Sequence, residues 1–161
     1  MGDLLPYRSE GVSASLSAME HIVVGVDGSR WSKDALRWAA QEAQRSGATL
    51  QVVMIWDDPA RDMWIPSSPP GVDRLAQTRR AVSRIVRSVL GEHPTVVVET
   101  SVAEGSPGRA LVEAAKGAEL LVVGSRGRGG FAGALFGSVS LHCVSHAPCP
   151  VVVVRGKTKP T

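Results

Sequence analysis

The feature that most constrains the fold is a set of short, β-branched apolar runs without polar alternation: His21–Asp27 (HIVVGVD), Thr49–Trp56 (TLQVVMIW), Glu119–Val123 and Val151–Val154. A strand with one wet face alternates apolar with polar residues, whereas a continuous apolar run suits a strand covered by helices on both faces. Between the runs the period changes. Ala35, Leu36, Trp38, Ala39 and Ala43 recur at helical spacing up to Gly47, with Lys33, Arg37, Gln41 and Arg45 elsewhere. Val72–Leu90 repeats the pattern through Leu75, Val82, Ile85, Val86 and Val89. Thr95–Val102 reads as a further strand, and Ser106 and Pro107 open a third helix, with the serine as N-cap, that ends at Gly117. Ser138 to His146 has room for a fourth helix, broken by Pro148 and Pro150 before the last strand.

Strands joined through helices run parallel, with right-handed crossovers. The sequence therefore predicts an α/β domain: one doubly wound open sheet of five parallel strands in the order 3-2-1-4-5, with helices on both faces. The domain is read over residues 19–156, between a flexible extension at 1–18, where Ser, Gly and Pro show no sustained period, and a short tail at 157–161. Prolines at its start suit the last strand to a sheet edge. Ligands of such sheets bind beyond the carboxyl ends of the strands where the winding reverses, here between the first and fourth. Asp27 and Gly124 then face one crevice from opposite sides. The irregular Asp57–Pro70, which carries Trp64, has the length of loops that lie over a ligand or a partner surface.

The fourth strand delivers the chain into GSRGRGGFAGALFGSVS, Gly124 to Ser140. Glycine accepts positive φ cheaply, so consecutive amides can point into one concavity, and the following helix adds the partial positive charge of its N-terminus. Phosphate is the natural guest. There is no GxxxxGK[ST], which excludes a P-loop. The GxGxxA formed by Gly127 to Ala132 follows the fourth strand rather than the first and lacks the acidic ribose partner of a dinucleotide fold.

The spacing Gly124, two residues, Gly127, nine residues, Gly137, Ser138 resembles the nucleotide-binding signature of the universal stress protein family, in its ATP-binding branch. The resemblance extends from Glu20 to Arg155 through VGVDGS ending at Ser29, the ALRWAA helix at Ala35–Ala40, the VVGSRGRGG loop, GSVS and the closing CPVVVVR. It implies an adenine-nucleotide hydrolase-like fold and ATP as the bound cofactor, with Mg as an optional companion. It also implies roles for single residues. Asp27 would accept hydrogen bonds from the ribose or the adenine side, with Gly25 permitting close approach, and Ile55 would offer backbone groups and an apolar wall to the base. Gly124, Ser125, Gly127, Gly129 and Gly130 would wrap the phosphates, with Gly137, Ser138 and the amide of Val139 completing the cradle. Of Arg126 and Arg128, one would screen phosphate charge and the other be solvated.

The residues also admit plainer readings. Asp27 suits a turn or the cap of the helix beginning near Trp31, and Ser138 an ordinary N-cap. His142 and His146 have the spacing of a zinc pair, but the pattern places no further ligand. Cys143 and Cys149 read as reduced, packed thiols. Arg79, Arg80, Arg84 and Arg87 read as a solvated helix face, since no aromatic residues are interleaved for stacking on nucleic acid. The net charge of +3 is spread along the chain rather than gathered into a block. No apolar run approaches the ~18 residues of a membrane span, and no basic start precedes an apolar segment, so the cytoplasm is the expected compartment.

No general base aligned with a phosphate, carboxylate pair or histidine-assisted nucleophile is evident. The sequence thus reads as a nucleotide-dependent sensor or regulator in stress response that acts on an unidentified protein. Weak ATP hydrolysis, self-phosphorylation or a nucleotide-free interaction module are the alternatives. A bare valine edge is an aggregation hazard, which a homodimer paired through Val151–Val154 would remove.

Overall fold

The apolar runs become strands because each can bury both of its faces. The structure, a computed structural model, describes residues 20–57, 73–129 and 133–156. The extension, the tail, nearly all of the Asp57–Pro70 loop and Gly130 lie outside the described residues. The elements are β1 (His21–Val26), α1 (Arg30–Ser46), β2 (Thr49–Trp56), α2 (Arg74–Leu90), β3 (Val98–Glu104), α3 (Pro107–Ala114), β4 (Leu120–Gly124), α4 (Ser138–His146) and β5 (Val151–Val154). The five strands are parallel and lie in the order β3-β2-β1-β4-β5, as the sequence predicts.

The two-residue period of the strands sorts their side chains between two cores. Ile22, Val24, Val26, Leu50, Val52, Met54 and Val122 pack with Ala35, Leu36 and Ala39 of α1 and Val82 of α2. Val23, Val53, Leu121 and Val123 face the other way, onto Leu111 of α3 and Cys143 of α4. Burial holds the Cys143 thiol in its neutral form, with the neighbouring Cys149 adding to the effect, and pushes its pKa up to about 11. Both cysteines are free.

Three local expectations are corrected. β3 spans Val98–Glu104 rather than Thr95–Val102, because pairing with β2 runs from Leu50↔Val98 to Trp56↔Glu104. As an edge strand it tolerates Glu99 and Glu104, both exposed, where an apolar pattern would end the strand early. Ser106 occupies the N-cap position of α3, yet its hydroxyl makes no capping bond; the helix stops at Ala114 and the chain turns through Gly117 at φ 75°. Finally, of the two plainer readings of Asp27, the turn holds and the cap of α1 does not. That role belongs to Ser29, whose hydroxyl accepts the Ser32 amide at 3.2 Å.

Candidate functional site

β1 and β4 are paired neighbours, with Val24 opposite Val122. The chain leaves β1 for α1 on one face and leaves β4 for the glycine loop and α4 on the other. The strand ends therefore part and open a crevice. A cavity of about 370 Å³ occupies it, lined by Gly25, Asp27, Ile55, Gly124, Arg126, Gly127, Arg128, Gly129, Gly137, Ser138 and Val139 among the expected residues. Ser125 is not in the lining. It is buried below the loop, and its amide donates to Val154 O at 2.9 Å.

The loop is closed at its base. The Gly137 amide donates to Ser125 O at 2.7 Å, and the buried Ser140 hydroxyl donates to Ser125 O at 3.2 Å and Gly137 O at 2.9 Å. Sequence reasoning missed Ser140, and its one legible signal is a hydroxyl two residues into a helix, where it can bond back to the preceding turn. Leu111, Pro107 and Phe136 were missed too; they line the cavity's apolar side and carry no motif that separates them from core residues.

Gly25, Gly124 and Gly127 serve by being small rather than by adopting positive φ, contrary to expectation. Among the described loop glycines only Gly133 has positive φ, at 96°. A Cβ on Gly124 would stand 2.7 Å from the carbonyl carbon of Trp31, so α1 and β4 touch there backbone to backbone. On Gly127 it would meet Asp27 Oδ2 at 2.8 Å, and on Gly25 it would meet Leu111 Cδ1 at 2.8 Å.

Asp27 spans the crevice. Its Oδ1 accepts the Ser29 amide at 2.8 Å in a local turn, and its Oδ2 accepts the Arg128 amide at 3.0 Å from the loop opposite. Burial alone would raise its pKa, but hydrogen bonds from Ser29, Ser32 and the Arg128 amide outweigh that and hold the carboxyl below its ordinary range. The charged form is thus the working one, and it presents an acceptor to the cavity that it lines. Across the cavity, α4 begins at Ser138 behind Gly137, a cap residue with no side chain to offer, so no side-chain bond closes that helix end. The first-turn amides of a helix have no partner within it, and Ser138 and Val139, which carry two of them, line the cavity. Arg126 also lines it, with its guanidinium 5.9 Å from the centre of the Trp31 ring. Arg128 reaches the same space from an exposed position. The result is a donor-rich, cationic end facing a single carboxylate, with an apolar wall of Ile55, Leu111 and Val139 between them.

Among the described residues no group of three or more His, Cys, Asp or Glu side chains is placed to hold a metal ion. His142 and His146 stack ring on ring, 4.3 Å between centroids. No helix among the described residues is long and apolar enough to cross a membrane.

Comparison with known proteins bears on the family and the fold. A universal stress protein of Mycolicibacterium smegmatis is 39% identical over 137 residues, covering 83% of this chain and 45% of its own length. One from Mycobacterium tuberculosis is 37% identical over 137 residues, 83% of this chain and 44% of its own. The chain therefore spans less than half the length of these relatives. Among solved structures, a universal stress protein in complex with cAMP superposes with TM-score 0.60 at 28% identity, over 88% of this chain and 100% of that one. The UspA protein of Lactobacillus plantarum shares the fold, with TM-score 0.68 at 24% identity, over 87% of this chain and 100% of that one. The sequence model of the universal stress protein family matches residues 19–155, nearly the whole of the described domain, and the chain belongs to that family.

Proposed function

We propose that the crevice binds ATP and that the protein is a nucleotide-dependent regulator in stress response. One observation carries the reading: the unclosed N-terminus of α4 opens into the cavity opposite the ionised Asp27. Phosphates suit the helix amides and the adjacent guanidiniums. A ribose hydroxyl suits the ionised Asp27 carboxylate, and the adenine suits the wall of Ile55 and Leu111. The relative solved with cAMP supports an adenine nucleotide as the guest. Among the described residues no carboxylate cluster offers Mg a protein cage, so an Mg ion would travel on the phosphates. Isothermal titration with ATP tests the reading. Micromolar to low-millimolar binding that is lost in Asp27→Ala is expected, and no heat at millimolar ATP overturns it.

Pairing of two copies through β5 belongs to the same proposal. Leu121 donates to Pro150 O and Ser125 to Val154 O, each at 3.0 Å or less, which turns the main-chain groups of alternate residues toward β4. By the alternation of a parallel ladder, those of Val151 and Val153 point to the open edge. Sedimentation should show a dimer that Val153→Pro converts to a monomer, since proline there removes an outward N–H and none from the β4 ladder.

A further inference from the structure

A second cavity, about 610 Å³, opens beside the first at the same end of the sheet, on the α2 side. The two share Asp27, Ile55 and Arg128, so they are contiguous. Its wall carries Arg80 and Arg84 from α2, Arg128 from the glycine loop, and Trp56. Like charges one helical turn apart, such as Arg80 and Arg84, repel and weaken a helix. Neither is in an ion pair among the described residues, whereas Arg87 of the same helix pairs with Glu92 at 3.1 Å. Arg80 and Arg84 thus line the cavity with no carboxylate paired to either among the described residues. The opposing charges are Asp27, already engaged by the Ser29 and Arg128 amides, and Asp57, which is exposed. Such a volume exceeds the need of a phosphate group and falls in the range of pockets that hold whole small molecules.

We infer that this cavity is a second anion subsite, continuous with the nucleotide crevice past Arg128, and that the two together take a ligand bearing a nucleoside at each end of a phosphate chain. The inference deepens the nucleotide reading and rests on it. A dinucleoside polyphosphate would seat one nucleoside in the first cavity, lead its phosphate chain past Arg128, and place the far end beside Arg80, Arg84 and Trp56. Bidentate guanidinium contacts favour phosphate over a diffuse solvent role.

The test titrates ATP and diadenosine tetraphosphate into the full chain and into Arg80→Ala/Arg84→Ala. Both arginines are exposed and alanine favours helix, so the double variant folds, which circular dichroism verifies. Charge-assisted contacts are each worth roughly tenfold or more. The expected result is a loss of at least about tenfold in tetraphosphate affinity with ATP affinity held within about threefold. Equal weakening of both ligands, or no change in either, overturns the inference. If ATP itself fails to bind, the nucleotide reading falls, and inorganic tripolyphosphate then decides the subsite alone. Binding by the full chain that the double variant loses sustains the anion subsite, and equal behaviour of the two removes it.

Discussion

The two faces of the sheet are built to different standards. One is covered by α1 and α2, 17 residues each, and the other by α3 and α4, of 8 and 9. On the long-helix face Ile22, Val24, Leu36 and Leu50 are closed off from solvent. On the short-helix face Leu111 is one of the few large apolar side chains, and it borders the first cavity instead of filling it. Gly25 sits at the point of β1 where a longer side chain would collide with Leu111. The contrast teaches that the long-helix side carries the more closed core, whereas on the short-helix side a core leucine doubles as the wall of the first cavity. Room at the strand ends lies on both sides, since the second cavity opens toward α2.

The contrast breaks most directly at its two leucines. Leu36→Ala, at a fully buried site, should cost about 2–5 kcal/mol in urea unfolding. Leu111→Ala should fall at or below the low end of that range, because its surroundings already border empty space, while its effect on nucleotide affinity should exceed that of Leu36→Ala. Equal costs for the pair would abolish the distinction. Gly127→Ala sharpens it from the site's side. The new methyl meets Asp27 Oδ2, displaces the carboxylate from the Arg128 amide, and should weaken nucleotide binding by roughly tenfold with little loss of stability. Ser140→Ala removes the hydroxyl that ties Ser125 to Gly137 and should cost about 1 kcal/mol, read as a small drop in the urea midpoint.

The smallest effect concerns pH. The folded Asp27 carboxyl titrates below its unfolded counterpart. Its stabilising contribution is therefore present above the unfolded value near pH 4 and is lost as the pH falls through the folded value. Between about pH 5 and pH 2 the wild-type Tm should drop more than that of Asp27→Asn, and parallel curves would show that the loop amide does not favour the charged form.

Much of the fold was legible because fully covered strands leave an unmistakable pattern. Ile22 to Val26 and Leu121 to Val123 admit few other readings, and the strand order follows from parallel connections. β3 was misplaced by two to three residues because its register comes from Leu50 to Trp56 across the sheet, which its own residues do not encode. The site was half legible. Asp27 and the glycines carry visible spacing, and the structure sets them around one hollow. The apolar wall was hidden, since Leu111 and Phe136 look like any core residue until their neighbours are known. The role of the glycines was read through torsional freedom, whereas at Gly124 and Gly127 the decisive quantity is a gap of under 3 Å to Trp31 and Asp27. Arg80 and Arg84 were read as a solvated face because periodicity cannot show that α2 lays them beside Arg128.

The bond from the Arg128 amide to Asp27 joins positions 101 residues apart. Contacts of such long range close late in folding, since the chain between them must first be ordered. Partial folds or fragments that end before β4 would keep a hydrophobic nucleus around β1 and β2 and own no crevice at all. A molecule bound there would report that the sheet has been completed from its first strand to its fourth.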